Sequence, residues 1–194
     1  MLTLYHAPRS RSSRFIWLLE EIAEPYEITY VTIRRGDGSG EPDAHNPHPD
    51  KKAPALVHDG ELVTESAAIA LYLADAFPAR IGPGVGEPGR GAFLTWLAFY
   101  AGVIEPAMTA RWQGRTETDA LAAADFASVG RRVLTALDAG PYVLGERFSA
   151  ADILVSSMFF FSRELSPQGP TVDAYLARIV SRPARLRAEV RDAP

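Results

Sequence analysis

Hydrophobic positions alternate between strand-like and helical patterns up to about residue 80 and are helical throughout beyond residue 91. Leu2, Leu4 and the run Tyr26 to Ile33 (YEITYVTI) are crowded with β-branched and aromatic residues and predict strands. Between them Phe15, Leu18, Leu19 and Ile22 recur at the i, i+3, i+4, i+7 spacing of a helix face, which Pro25 stops. A polar loop, RRGDGSGEPDAHNPHPDKK, follows. The segments 55–58 and 61–64 then flank Asp59-Gly60, a pair that favours the positive φ of a tight turn, and predict a hairpin. A helix from Ser66 to about Phe77 has Ile69, Tyr72 and Leu73 on one face. The order β-α-β, loop, β-β-α is a small α/β unit.

Residues 80–91, RIGPGVGEPGRG, leave neither helix nor strand much chance. Beyond them every apolar stripe is helical. Phe93, Trp96, Leu97, Tyr100 and Ile104 share a face that Leu94 and Phe99 widen, and Pro106 should end or bend that helix. Phe126, Val129, Val133, Leu134 and Leu137 form a second stripe, with Gly140 as its expected C-terminal cap. Ser149 and Asp152 have the spacing of a capping box before the apolar run Ile153 to Phe161. Val172, Tyr175, Leu176, Ile179 and Val180 make a further stripe, and Pro183 opens a short terminal helix. The pattern predicts an α/β domain over 1–79, a Gly/Pro-rich linker over 80–91 and an all-α domain over 92–194.

Composition narrows the chemistry. With 194 residues, 47% apolar and 23% charged, the chain is globular in type and has the material for two cores. A net charge of -4 and a pI near 5.6 provide no broad electrostatic footprint for nucleic acid or anionic lipid. No apolar run reaches the ~18 residues that span a bilayer, and MLTLYHAPRS lacks the layout of a signal peptide, so a cytoplasmic protein with no membrane or nucleic-acid partner is expected. Cysteine is absent. That excludes disulfides, protein thiolate nucleophiles and zinc–thiolate sites, so any sulfur chemistry must use a thiol brought by a ligand. His45 and His48 lack a convincing third ligand, and no metal is expected. Arg34-Arg35 reads as a solvated pair.

Three segments carry a specific resemblance. YHAPRSRSSRFIWLLEE, KKAPALVHDGELVTESAAIALYLAD and GERFSAADI, with SRPA near the end, resemble the strand–loop–helix, the Pro-strand-turn-strand-Glu-Ser-helix signature and the second-domain capping box of the cytosolic glutathione transferase superfamily. The likeness is to bacterial members of serine rather than cysteine type. It covers nearly the whole chain, and the Glu65-Ser66 segment is its most specific part. The resemblance implies a thioredoxin-like N-terminal domain followed by an all-α helical-bundle domain. It also implies a twofold homodimer and glutathione as co-substrate.

The chemistry of glutathione fits the second segment. Its γ-glutamyl end carries an ammonium and a carboxylate. Ser66 opens a helix, where free N–H groups, the dipole and its own hydroxyl favour a carboxylate, while Glu65 can pair the ammonium. Read alone, the same residues could simply cap the helix. The resemblance further implies a cis peptide between Ala53 and Pro54, with the Ala53 backbone paired to the cysteinyl part of the ligand. Lys52 occupies a position that often reaches the glycine carboxylate, although Lys51 leaves the register open and a solvated lysine is the competing reading.

Activation of the thiol needs a donor. A free thiol with pKa ~8.5 is only a few per cent ionised at neutral pH, so lowering it by two units takes ~2.7 kcal/mol of thiolate stabilisation. Ser10, four residues before Arg14, matches the serine of serine-type members and is placed first. Tyr5 occupies the position used by tyrosine-type members and is the runner-up, or else a packed strand residue. Ser12, Ser13 or backbone groups alone remain further alternatives, and Arg11 lies where some members place an arginine that favours the thiolate. Tyr100, Arg111 and Trp112 follow the helix that resembles the wall of the electrophile pocket. The implied activity is conjugation of glutathione to a small apolar electrophile, as in detoxification. Glutathione-dependent isomerisation, dehalogenation or peroxide reduction, or a noncatalytic binding or regulatory role, are the alternatives.

Overall fold

The computed structural model describes residues 1–193, whose contacts divide into two compact units. One comprises Met1–Leu73 with the stretch from Arg182 onward, and the other is Ala74–Ser181.

The first unit holds β1 (Leu2–His6), α1 (Ser13–Ile22), β2 (Tyr26–Tyr30), β3 (Ala55–His58), β4 (Glu61–Thr64) and the greater part of α2 (Ser66–Ala76). The sheet order is β2-β1-β3-β4. β1 and β2 run parallel, which requires the crossover that α1 supplies, and β3 and β4 are antiparallel additions. Leu2, Leu4 and His6 point to the buried face of β1, while Thr3 and Tyr5 alternate onto a half-buried one. Phe15, Ile16, Leu18, Leu19 and Ile22 of α1 fill the core with Leu4, Leu56, Ile69 and Leu73. The hairpin turns at Asp59 and Gly60, with φ of 50° and 90°, as its two-residue length demands. β2 is shorter than the pattern predicts. It ends at Tyr30, and only the Val31 amide continues the ladder by donating to the His6 carbonyl at 2.8 Å. α1 stops at Ala23 in the left-handed conformation, before Pro25 is reached.

The terminal helix α8 (Pro183–Val190) packs within this same unit, although its sequence position puts it after the helical half. Its cations explain why. Arg182 chelates Glu21 at 2.6 and 2.8 Å, and Arg187 and Arg191 reach the two oxygens of Glu20 at 2.6 and 2.9 Å. Burial pushes the Glu20 carboxyl up, but hydrogen bonds from Arg187, Tyr26 and Arg191 outweigh it and hold the group below its ordinary value.

The second unit is helical: α3 (Arg90–Phe99), α4 (Glu105–Trp112), α5 (Ala120–Ala139), α6 (Ala150–Phe161) and α7 (Pro170–Val180). Pro106 does not end its helix. A π-helical turn, Tyr100–Ile104, joins α3 to α4 and lets the chain pass a residue that has no N–H to donate. The continuous stretch Arg90–Trp112 spans 23 residues with a mean hydropathy of 1.2, enough by length and composition to cross a bilayer. Phe93, Trp96, Leu97, Tyr100 and Ile104 of this stretch are buried in the protein core, while Leu94, Val103 and Trp112 are exposed. Within residues 80–91, 81–84 are buried, with the Gly82 and Pro83 carbonyls accepting from Arg147 and Arg90, while 85–89 are exposed.

α6 begins with the predicted capping box. Asp152 accepts from the Val143 amide, the Ser149 amide and hydroxyl, and the Tyr175 hydroxyl. Burial pushes its carboxyl up to about 7 against these four donors. Gly140 is the C-cap residue of α5, as expected, in an extended conformation. Its φ is 179°, and a Cβ there would lie 2.7 Å from Gly145 Cα, so close backbone approach is what glycine permits.

Candidate functional site

Register decides which residues of the first unit share an end of the sheet. Tyr5 pairs with Ala55, and Ala55 with Thr64. The loop after β1, the Ala53-Pro54 peptide before β3 and Glu65-Ser66 after β4 therefore emerge at one end of the sheet. The Ala53-Pro54 bond is cis, as the resemblance implied. Glu65 has φ 67°, a left-handed conformation that costs a non-glycine residue about 1–2 kcal/mol. Strain of that kind is held in place by its surroundings and clusters at functional positions. Glu65 is exposed, and its carbonyl accepts from Ile69 at 2.9 Å, so it stands just outside the first turn of α2.

Ser66 is joined to the first segment by Arg14. The Arg14 guanidinium, buried in the first turn of α1, donates from Nη2 to Ser66 Oγ at 2.8 Å. Because arginine only donates, the Ser66 hydroxyl hydrogen is left to point elsewhere. The Arg14 side chain thus ties the start of α1 to the start of α2, and the cation and the positive end of the α2 dipole both favour an anionic group beside Ser66.

Ser10 is half-buried in the loop feeding α1. Its Oγ accepts from the Ser12 amide at 3.1 Å and lies 2.8 Å from Ser12 Oγ. Ser12 is fully buried and its hydroxyl faces three further atoms: it accepts from the Ala7 amide at 3.0 Å, can donate to the Ala7 carbonyl at 3.1 Å, and sits 2.8 Å from His6 Nδ1. The other ring nitrogen of His6 donates to the Asp192 carbonyl at 3.0 Å. Burial lowers the His6 pKa, and the Asp192 carbonyl and carboxylate only partly offset it. Arg9 ties the same segment down, its amide donating to Asp192 Oδ2 at 3.2 Å.

The remaining sequence candidates fall as follows. Tyr5 lies on the half-buried face of β1, and Arg11 is exposed in the Ser10 loop. Lys52 is exposed and pairs with Asp50 at 3.4 Å, whereas Lys51 is fixed within its loop by the Asn46 carbonyl at 2.7 Å. Tyr100, Arg111 and Trp112 belong to the helical unit. The buried Tyr100 hydroxyl donates to Glu105, Arg111 donates to Thr116 at 3.0 Å, and Trp112, 58% exposed, meets Phe161 edge-on. Among the described residues no group of three or more metal-ligating side chains occurs.

Sequence reasoning missed His6 and Asp192 altogether and used Arg14 only as a marker. A charged residue inside the otherwise apolar first turn of α1 was a signal for Arg14. Nothing in the spacing pointed to a contact between residues 6 and 192.

Residues 1–75 match the family described as glutathione S-transferase, N-terminal domain. Glutathione S-transferase 3 of Schizosaccharomyces pombe is 33% identical over 107 residues, which span 55% of this chain and 43% of that relative. A glutathione S-transferase structure from Actinobacillus pleuropneumoniae is similar at TM-score 0.83 and 26% identity, covering 99% of this chain and 93% of its own. A sphingomonad glutathione S-transferase complexed with glutathione is similar at TM-score 0.80 and 28% identity, covering 98% of both chains.

Proposed function

The chain belongs to the glutathione S-transferase superfamily, and we propose that it is a serine-type glutathione transferase, which activates the thiol of bound glutathione and conjugates it to a small apolar electrophile. The observation that carries the reading is the convergence of the Ser10 loop, the Ala53-Pro54 peptide and Glu65-Ser66 at one end of the sheet, tied by the Arg14–Ser66 hydrogen bond.

In this reading the γ-glutamyl carboxylate lies at the start of α2, receiving the Ser66 hydroxyl and free amides, while Glu65 pairs the ammonium. The Ala53 backbone pairs with the cysteinyl part, as an added strand would. Lys52 is free to exchange its solvent-screened contact with Asp50 for the glycine carboxylate. Ser10, with Arg11 nearby in sequence, donates to the sulfur. The protein supplies position and charge stabilisation, and the ligand is the nucleophile. On the helical unit, Tyr100, Arg111 and Trp112 are the residues we assign to the electrophile. The assembly is a homodimer, and the compartment is cytoplasmic.

The test is a calorimetric glutathione titration followed by an activity screen over aryl halides, epoxides, enones and hydroperoxides. Binding with conjugation of a halide, epoxide or enone supports the proposal. Turnover of hydroperoxides alone, or isomerisation without conjugation, moves the chain to another glutathione-dependent reaction. Binding without turnover moves it to a regulatory role.

A further inference from the structure

We propose that His6 is the terminal acceptor of the thiol proton, reached through the hydroxyls of Ser10 and Ser12, and that Asp192 holds the imidazolium so formed. The inference rests on the reading that glutathione binds with its sulfur at Ser10.

The hydrogen inventory carries it. Nε2 of His6 faces the Asp192 carbonyl at 3.0 Å, an atom that only accepts, so Nε2 bears a hydrogen. Burial keeps the free ring neutral, which leaves Nδ1 with a lone pair directed at Ser12 Oγ, 2.8 Å away. Ser12 must then donate to Nδ1. Its alternative, the Ala7 carbonyl at 3.1 Å, would strand a nitrogen on a fully buried ring. With its hydrogen spent inward and the Ala7 amide already accepted, Ser12 meets Ser10 Oγ at 2.8 Å as an acceptor. Ser10 therefore points its own hydrogen inward and, with one lone pair taken by the Ser12 amide, has one lone pair left for the ligand. That polarity suits a group about to receive a proton and is wrong for holding a thiolate.

Moving each hydrogen one place reverses it. The S–H bond breaks and its electron pair stays on sulfur. Ser10 Oγ takes that hydrogen and passes its own to Ser12, which passes its own to Nδ1. The products are a thiolate, two neutral serines and an imidazolium, with no proton gained or lost by the complex. Now Nδ1 donates to Ser12, Ser12 to Ser10, and Ser10 to the sulfur. Asp192 Oδ1 is placed for the new cation: it is buried, accepts no hydrogen bond and lies 3.5 Å from Nε2. The groups set against the ring are this carboxylate from the segment after α8, the Tyr30 ring edge-on from β2, and the Ser12 hydroxyl before α1. Arg9 contributes only its backbone amide, which fixes the other Asp192 oxygen. His6 and Asp192 do not touch the ligand and act through the two serines.

The experiment adds glutathione to the whole chain near neutral pH and records ultraviolet thiolate absorbance together with protons released to a weakly buffered indicator. The relay predicts thiolate formed with less than about half a proton released per sulfur, because the proton stays on His6. In His6→Gln the thiolate titration should move up by about one unit or more, with a full proton released per thiolate and glutathione affinity little changed. Asp192→Asn, whose side chain is 25% exposed, should shift the titration in the same direction, and it carries the test if His6→Gln does not fold. Full proton release by the wild-type chain, or an unshifted titration in the folded variants, overturns the relay alone. No glutathione binding by the wild-type chain overturns the reading beneath it as well.

Discussion

Arg14 Nη2 donates to Ser66 Oγ at 2.8 Å across 52 residues of sequence, and so fixes the first turn of α1 against the first turn of α2. The bond is charge-assisted and largely buried, which places it among the stronger hydrogen bonds a protein makes.

Arg14→Met should therefore lower stability by about 1.5–3 kcal/mol and weaken glutathione binding, because Ser66 loses the donor that turns its hydrogen toward the ligand. Urea unfolding and calorimetric titration measure the two effects separately. A variant that loses stability but keeps its affinity would make the contact purely structural.

Glu65→Ala should weaken glutathione binding by about 1.5–3 kcal/mol through the lost bond to the ammonium. The side chain is exposed and its pairing lies outside the core, so folding should change little. Unchanged affinity in the folded variant removes Glu65 from the site.

The His6 ring makes the free protein acid-sensitive. Its pKa is lowered in the folded state, so on acidification the unfolded chain binds this proton first, and stability falls as pH drops below about 6.5 toward the lowered value. Asp152, pushed up to about 7, changes stability in the opposite sense over the same range, so the comparison between variants isolates His6. In thermal unfolding between about pH 7 and about pH 5, Asp192→Asn should lose more stability on acidification than wild type, because it removes the charge that partly supports the imidazolium. A variant that is less acid-sensitive than wild type contradicts this.

Assembly is a separate expectation. Leu62 on β4 and Leu94 and Val103 on the first long helix are apolar and 36–39% exposed, which is consistent with surfaces that a second copy covers. Sedimentation at micromolar concentration should give twice the 21.1 kDa chain mass. A monomer there rejects the homodimer.

Much of this was legible because local rules suffice for it. The hairpin at Asp59-Gly60, the α1 stripe and the Ser149–Asp152 box each depend on residues within a few positions of one another. Ser10, Ala53-Pro54 and Glu65-Ser66 were singled out from motifs, and the strand register brings them to one end of the sheet. Other features depend on contacts that spacing does not encode. The terminal helix was read with the helical domain because it follows it, yet Arg182, Arg187 and Arg191 find their carboxylates on α1. The π-turn before Pro106 answers a missing donor in three dimensions, where a sequence rule sees only a helix breaker. His6 shares the inward alternation of Leu2 and Leu4, and only its two ring partners distinguish it from packing.

The central claim is that Ser10 donates to the sulfur of bound glutathione, and the thiolate absorbance of the complex against pH, in Ser10→Ala and Tyr5→Phe, tests it most directly. A hydrogen bond to an ionised acceptor contributes roughly 1.5–3 kcal/mol, equivalent to ~1–2 pKa units. The account predicts that Ser10→Ala raises the bound thiol's pKa by that amount while affinity for the peptide falls much less, and that Tyr5→Phe leaves the titration where it was. A titration shifted by the tyrosine variant and untouched by the serine variant would contradict it and transfer the role to Tyr5.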